Sequence, residues 1–101
     1  MIITGGFNVY AREVEDVLEA HSAIAQAAVF GVPDREWGEA VAAAIVAKPG
    51  TNLDEEAVVR HCREHLTSYK KPKLIRFVSE LPRNTVGKVQ KAQLREMFAS
   101  K

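Results

Sequence analysis

The chain has 101 residues, of which 47% are hydrophobic and 27% charged, a balance typical of one soluble globular domain. No apolar run approaches the roughly 20 residues that span a bilayer, so no transmembrane segment is expected. The N-terminal residues also lack the basic start of a secretory signal. The single cysteine, Cys62, has no partner for an internal disulfide, which suits a reducing compartment and predicts a cytoplasmic protein.

The net charge of +1 conceals an uneven distribution along the chain. Residues 1–66 hold 5 Lys or Arg against 11 Asp or Glu, a net charge of −6. Residues 67–101 hold 9 against 2, a net charge of +7, and are expected to attract phosphate or carboxylate groups. Only the stretch SYKK places an aromatic ring among these cations, so no nucleic-acid partner is predicted.

Taken in chain order, the first elements are a turn, a helix and two strands. The adjoining Gly5 and Gly6 in TGGFN predict a β-turn, and the apolar spacing in AREVEDVLEAH predicts a helix. Two apolar runs, IAQAAVFGV and AVAAAIVAK, predict strands joined by the polar loop PDREWGE. That loop is too short for a helical crossover, so the strands should pair antiparallel. Because both strand faces are apolar, they should lie centrally in a covered sheet.

The second half predicts helix, strand and helix. LDEEAVVRHCREHL reads as a helix, with Asn52 and Glu55 spaced as a capping box. LIRFV predicts a short strand, and KAQLREMF predicts a last helix that buries Leu94, Met97 and Phe98. The predicted fold class is therefore α+β: a small, mainly antiparallel three-stranded sheet covered by about three helices, with an N-terminal β-turn segment.

HCREH, at residues 61–65, formally matches a helical zinc motif in which two histidines one turn apart bind the metal. The same helix buries Val58, Cys62 and Leu66, which leaves His61 and His65 at its flank. A third ligand and a substrate cleft are hard to find in the sequence. We therefore predict no metal site, and a metallopeptidase, the alternative, would need tightly bound zinc.

Three other positions carry two interpretations each. In SYKKPK, an aromatic ring beside several lysines could seat a nucleotide, although a solvated basic loop has the same composition. Trp37, in the polar loop, either packs over the sheet edge or stays exposed for stacking. LPRNTVGKVQ is not a Walker A loop, since Val89 follows Lys88, yet Gly87 beside Lys88 suggests a tight turn that presents one cation.

Two stretches together change these interpretations. IITGGFNVYAREVEDVL and LPRNTVGKVQKAQLRE resemble the two signature motifs of the C-terminal domain of the adenylate-forming acyl-CoA synthetase family. Their sequences are similar to those of fatty-acyl and malonyl-CoA synthetases. The connecting stretches VFGVPDREWGEAVAAAIV and SYKKPKLIRFVSELP also match the family. The resemblance covers essentially the whole chain, residues 1–101.

The resemblance implies a two-step ligase reaction. A carboxylic acid attacks the α-phosphate of ATP, with Mg²⁺, to give an acyl-adenylate, and the CoA thiol then displaces AMP. Family members rotate the small C-terminal domain between the steps. By position, Lys88 matches the adenylation lysine, and Gly5 and Gly6 match the glycines at the pantetheine tunnel. The resemblance also places near the CoA nucleotide the residues Trp37, Tyr69, Lys71 and Lys73.

The chain departs from the family pattern in two ways. Ala11 stands where relatives usually carry proline, a mild exchange in a first helical turn. Relatives also carry a hinge residue and a large N-terminal domain, which holds most of the ATP and carboxylate sites, before the position of Met1. We therefore expect an excised or truncated domain that is inactive by itself and whose partner is that N-terminal domain. The alternative is a stand-alone CoA- or nucleotide-binding module without catalysis, which calorimetry would detect.

Overall fold

The computed structural model describes residues 1–99, which form five strands and three α-helices. The strands are β1 (Ile2–Thr4), β2 (Phe7–Val9), β3 (Ile24–Asp34), β4 (Gly38–Ala47) and β5 (Leu74–Phe77). The helices are α1 (Ala11–Glu19), α2 (Glu55–His65) and α3 (Lys91–Ala99), with a 3₁₀ turn at Ser68–Lys70. Within residues 1–99 no helix is long and apolar enough to cross a membrane. The α+β class is confirmed.

β4 is the central strand of the sheet. β3 runs antiparallel along it, with Phe30 opposite Ala42, as predicted. On the other side, β1 meets the first residue of β4, Gly38, and continues the sheet into β2. β5 lies beside residues 42–45 and runs parallel, because α2 carries the chain back to the same end of the sheet. The two-stranded N-terminal hairpin thus extends the predicted three-stranded sheet to five strands.

Alternation of side chains along β3 and β4 builds one core on each face of the sheet. α1 and α2 cover the first face, and α3 covers the second. The first core comprises Ile2, Val9, Val14, Leu18, Ile24, Ala27, Val29, Val41, Ala43, Ile45, Val58 and Cys62. The second comprises Ala28, Phe30, Val32, Ala40, Ala42, Ala44, Leu81, Leu94 and Phe98. Residues 40–45 are buried throughout, which confirms the central position predicted for β4, whereas β3, also predicted to be central, lies at the edge of the sheet.

The predicted loop PDREWGE is mostly strand. β3 continues through Pro33 to Asp34, and β4 already begins at Gly38. Proline is tolerated because β3 is an edge strand, where a backbone group that points away from the sheet has no strand partner to lose. The loop that carries Trp37 is therefore short and closely tied to both strands.

Two helix details also differ from the prediction. Asp54, rather than an Asn52–Glu55 capping box, begins α2, because its side chain accepts a 2.8 Å hydrogen bond from the Ala57 N–H. In α3, Met97 is 45% exposed, whereas its predicted core neighbours Leu94 and Phe98 are buried. Leu94 and Phe98, four residues apart, lie on the face of α3 that packs on the second core, and Met97 lies outside that face.

Candidate functional site

Lys88 stands on a tight turn between β5 and α3, and contacts within the turn fix its shape. The Asn84 side chain accepts hydrogen bonds from the backbone N–H groups of Val86 at 3.1 Å and Lys88 at 2.9 Å. The Asn84 N–H donates to the Lys88 carbonyl at 3.0 Å, and the Gly87 N–H donates to the Asn84 carbonyl at 2.9 Å. Gly87 has a φ of +86°, which favours glycine. The tight turn expected from the sequence is therefore present.

Arg83 contacts this turn, and a groove lies beside it. Arg83 pairs with Val89 in an isolated antiparallel bridge, and its guanidinium donates to the Gly87 carbonyl at 2.7 Å. Beside the turn lies a cavity of about 620 Å³, which we name the Lys88 groove. Its lining residues come from α1, β3, the segment that carries the turn and the start of α3: Arg12, Glu15, Glu19, Ala27, Ala28, Leu81, Arg83, Lys88, Val89 and Lys91.

The Lys88 ammonium is available for an anion. Its side chain is exposed, and the ion pairs found among residues 1–99 involve other cations. In the same groove, Lys91 Nζ lies 3.0 Å from Glu15 Oε2, which also accepts the Val29 N–H at 2.9 Å. The acidic groups of the groove are thus occupied by protein donors and leave Lys88 exposed.

The two N-terminal glycines form a tight hairpin turn between β1 and β2. Their φ angles, +58° at Gly5 and +84° at Gly6, are both positive, as a type I′ hairpin turn requires. The Gly5 N–H donates to the Trp37 carbonyl at 2.8 Å, so the turn lies against the β3–β4 loop. A side chain on Gly5 would approach Trp37 Cε3 to 2.6 Å, whereas Gly6 has open space around it. A side chain at residue 5 would therefore require the Trp37 ring to shift.

A small aromatic pocket adjoins this turn. It has a volume of about 420 Å³ and is lined by Thr4, Phe7, Trp37, Tyr69 and Lys73. Lys73 Nζ lies 3.9 Å from the centre of the Trp37 ring, within cation–π range. The Phe7 and Tyr69 rings stack with centroids 4.5 Å apart and planes 18° apart. The structure thus brings together Gly5, Trp37, Tyr69 and Lys73, residues that lie far apart in the sequence.

Asp34 fixes the loop that carries Trp37. Its Oδ1 accepts the backbone N–H groups of Trp37 and Glu36, each at 2.9 Å. These two hydrogen bonds, with a smaller contribution from the charge of Lys73, hold the pKa of the Asp34 carboxyl below its ordinary value. The aspartate therefore stays ionised and keeps the tryptophan beside the aromatic pocket.

Lys71 lies apart from this group. It lines a separate cavity of about 270 Å³ with Val59, Cys62, Pro72 and Ile75, and Lys73 borders both cavities. Burial raises the pKa of the Cys62 thiol, and the nearby charge of Lys71 opposes that shift only in part. A neutral, buried thiol behaves as a small hydrophobic group, as predicted. The assignment of Lys71 to a CoA nucleotide stays a prediction.

The histidines of HCREH make backbone contacts. His61 Nε2 lies 2.7 Å from the Val17 carbonyl and connects α2 to the end of α1, while His65 Nδ1 lies 2.9 Å from the His61 carbonyl. His21 packs edge-on against His61, with ring centroids 5.0 Å apart. Within residues 1–99 no group of three or more His, Cys, Asp or Glu side chains could hold a metal ion. His61 thus joins the two helices, whereas the His65 contact lies within α2.

Sequence reasoning missed several residues that build these surfaces. Phe7 was not singled out, although a large apolar side chain directly after a glycine turn is a usable signal. Asn84 could have been found from its preference for turns in which the side chain bonds the following backbone. No local signal identifies Gln26, because its partner Arg83 is 57 positions away.

Known proteins are similar to this chain over nearly its whole length. The sequence model described as AMP-binding enzyme C-terminal domain matches residues 13–88. The 3-[(3aS,4S,7aS)-7a-methyl-1,5-dioxo-octahydro-1H-inden-4-yl]propanoyl:CoA ligase of Mycobacterium tuberculosis is 56% identical over 97 residues, which cover 96% of this chain and 19% of that protein. A long-chain-fatty-acid–CoA ligase of Yersinia pestis is 44% identical over 96 residues, covering 95% of this chain and 17% of that protein.

A solved structure agrees with these sequence matches. ATP-bound MatB from Rhodopseudomonas palustris has a TM-score of 0.92 and 44% identity, covering 97% of this chain and 20% of the MatB chain. The chain described here therefore spans about a fifth of the length of the relatives that it matches.

Proposed function

The chain belongs to the AMP-binding enzyme C-terminal domain family, and on that basis we propose that it is the C-terminal domain of an AMP-forming carboxylic acid–CoA ligase. Its partner in this proposal is the N-terminal domain of the same enzyme, which holds the carboxylic acid and most of ATP. Relatives that are named as CoA ligases and are about five times as long support such a partner. A cytoplasmic location fits the buried, unpaired Cys62.

The observation that carries the proposal is the exposed Lys88 on a turn that is already folded. In adenylation, a carboxylate oxygen attacks the α-phosphorus of ATP while the bond from that phosphorus to pyrophosphate breaks. Two anions must meet, and negative charge accumulates on the α-phosphoryl oxygens. A lysine ammonium beside both groups offsets their repulsion and stabilises the transition state. Because the turn is preorganised, little ordering is needed when the substrates arrive.

Residues 1–99 do not fit the Mg²⁺ that accompanies ATP. Within them no group of three or more His, Cys, Asp or Glu side chains could hold a metal ion. Glu15 and Glu19, the carboxylates of the Lys88 groove, already accept the backbone N–H groups of Val29 and Ala27. We therefore assign Mg²⁺ to the N-terminal domain and derive no step through it.

The aromatic pocket and the glycine turn supply the second half of the proposal. In thioester formation, the CoA sulfur attacks the acyl carbonyl and the bond to AMP breaks. A turn without side chains at Gly5 and Gly6 leaves room for the thin pantetheine arm. Beside it, Trp37 and Tyr69 offer faces for an adenine ring, and Lys73 offers a charge for a phosphate. Lys71, in the neighbouring cavity, would add a second charge.

We predict that Lys88→Ala, in the full-length ligase that carries this domain, slows adenylation strongly while leaving a measurable residual rate. Exchange of labelled pyrophosphate into ATP should fall at least about 10²-fold, the loss expected when one transition-state charge is removed. Lys48→Ala removes another exposed lysine, away from both surfaces, and should leave the exchange unchanged. Exchange at the wild-type rate in Lys88→Ala would contradict the proposal and leave a non-catalytic CoA- or nucleotide-binding module as the alternative.

A further inference from the structure

Arg83 is the side chain that ties the Lys88 turn to the sheet. Its Nη1 donates to the Gly87 carbonyl at 2.7 Å, and its Nη2 donates to Gln26 Oε1, on β3, at 3.0 Å. The hydrogen bonds centred on Asn84 fix the shape of the turn but do not connect it to β3. The Arg83 guanidinium therefore provides a hydrogen-bonded link between the turn and β3, where Gln26 lies 57 positions earlier in the chain.

A β-bulge aims Gln26 at this anchor. The register of β3 shifts between Ile24 and Gln26. Beyond the bulge, the even-numbered Ala28 and Phe30 face the second core, and Gln26 lines a cavity on that side with Arg83. Ile24 is also even-numbered but belongs to the first core. The bulge thus lets Ile24 fill the core under α1 and α2 while Gln26 points toward the turn.

The bonded carbonyl is the one that sets the direction of Lys88. The Gly87 carbonyl and the Lys88 nitrogen belong to one planar peptide, so fixing that oxygen fixes the plane from which the Lys88 side chain departs. Gly87 by itself restrains this peptide weakly, since glycine accepts many backbone angles. The fork of a guanidinium can bond two acceptors in different directions, which a lysine ammonium cannot do with the same rigidity.

We propose that Arg83 and Gln26 are positioning residues for adenylation, which hold the Gly87–Lys88 peptide so that the ammonium meets the carboxylate and the α-phosphate in one orientation. This inference rests on the proposed function of Lys88. A displacement of about 1 Å at a reacting centre can lower a rate about 10²-fold, so a brace of two hydrogen bonds is enough to matter.

The test uses the full-length ligase with Arg83→Met, Gln26→Met and Gln26→Glu. Methionine has the length of glutamine and replaces the unbranched stem of arginine, and in both cases it removes the polar atoms, whereas glutamate keeps an acceptor for Arg83. Pyrophosphate exchange should fall about 10- to 100-fold in Arg83→Met and about 10-fold in Gln26→Met. Gln26→Glu should keep the wild-type rate of exchange. Thioester formation from supplied acyl-adenylate should stay within about 2-fold of wild type in all three, as should both reactions in Arg60→Met, an exposed control on α2.

A combination with Lys88→Ala separates positioning from a general structural role. A residue that acts only through Lys88 has nothing further to lose once Lys88 is gone, so Arg83→Met should add no loss in that background. An added loss would overturn the inference, as would wild-type exchange in both methionine variants while Lys88→Ala is inactive. Wild-type exchange in Lys88→Ala itself would overturn the proposed function instead. If thermal unfolding shows that Arg83→Met does not fold, the comparison of Gln26→Met with Gln26→Glu tests the inference instead.

Discussion

Gly5 and Gly6 occupy one turn and meet different neighbours. Both have positive φ angles, but only Gly5 lies against the Trp37 ring, and only its N–H bonds the Trp37 carbonyl. At this scale a single hydrogen atom in place of a methyl group lets the hairpin approach the loop that forms the aromatic pocket. Gly6 has open space around it and meets no such neighbour within the described residues.

Alanine at each position therefore gives different results in this 101-residue chain. Gly6→Ala should lower the free energy of unfolding by about 1 kcal/mol, the penalty for a side chain at positive φ. Gly5→Ala adds the clash with Trp37 and should lower it by about 1–3 kcal/mol more. Urea unfolding gives both values, and Trp37 fluorescence, from the sole tryptophan, should shift only in Gly5→Ala. Equal destabilisation with unchanged emission would show that the ring moves aside freely.

At the scale of elements, the outer edge of β3 is protected by side chains from two helices. Glu19 and Glu15, one turn apart on α1, accept the N–H groups of Ala27 and Val29 at 3.1 and 2.9 Å. Arg95 of α3 donates to the Gly31 carbonyl at 3.1 Å, and the next residue in this series, Pro33, has no N–H. Several of the groups that would otherwise invite another strand are thus satisfied or absent.

Removal of these carboxylates should expose the edge. Glu15→Ala leaves the Val29 N–H without an acceptor and should destabilise the chain by about 1–3 kcal/mol. Glu15→Gln keeps an acceptor oxygen and serves as the matched control. Hydrogen exchange at the Val29 amide should accelerate in the alanine variant alone, and the double variant with Glu19→Ala should self-associate in sedimentation. Unchanged protection of Val29 in Glu15→Ala would mean that the carboxylate does not cap this edge.

The helices and strands were largely predictable from the sequence, because an apolar period of two residues indicates a strand and one of about 3.6 residues indicates a helix. These patterns can be read without knowledge of the tertiary contacts. The parallel placement of β5 and the passage of β3 through Pro33 were not predictable, since both depend on which strand lies at the edge. Lys88 was identifiable from its motif. The brace from Arg83 to Gln26 was not, because it joins residues 57 positions apart through a bulge that leaves no local pattern.

At the scale of the whole molecule, the two surfaces lie at opposite edges of one sheet. The Lys88 groove follows β3, whereas the aromatic pocket is built from β1, β2 and the approach to β5, and β4 runs between them. One fixed orientation against an N-terminal domain would not present both surfaces to the same carboxyl group of the substrate. Under the proposed ligase function, we therefore expect the domain to reorient between adenylation and thioester formation.

The most direct measurement compares Lys88→Ala with Lys73→Ala in the same full-length ligase, in both half-reactions. We predict that Lys88→Ala loses at least about 10²-fold in pyrophosphate exchange and retains thioester formation from supplied acyl-adenylate. Lys73→Ala should retain exchange, while its KM for CoA rises about 10-fold or more, as expected for one lost charge-assisted hydrogen bond. Loss of the same half-reaction in both variants, or of neither, would contradict the division of labour between the two surfaces.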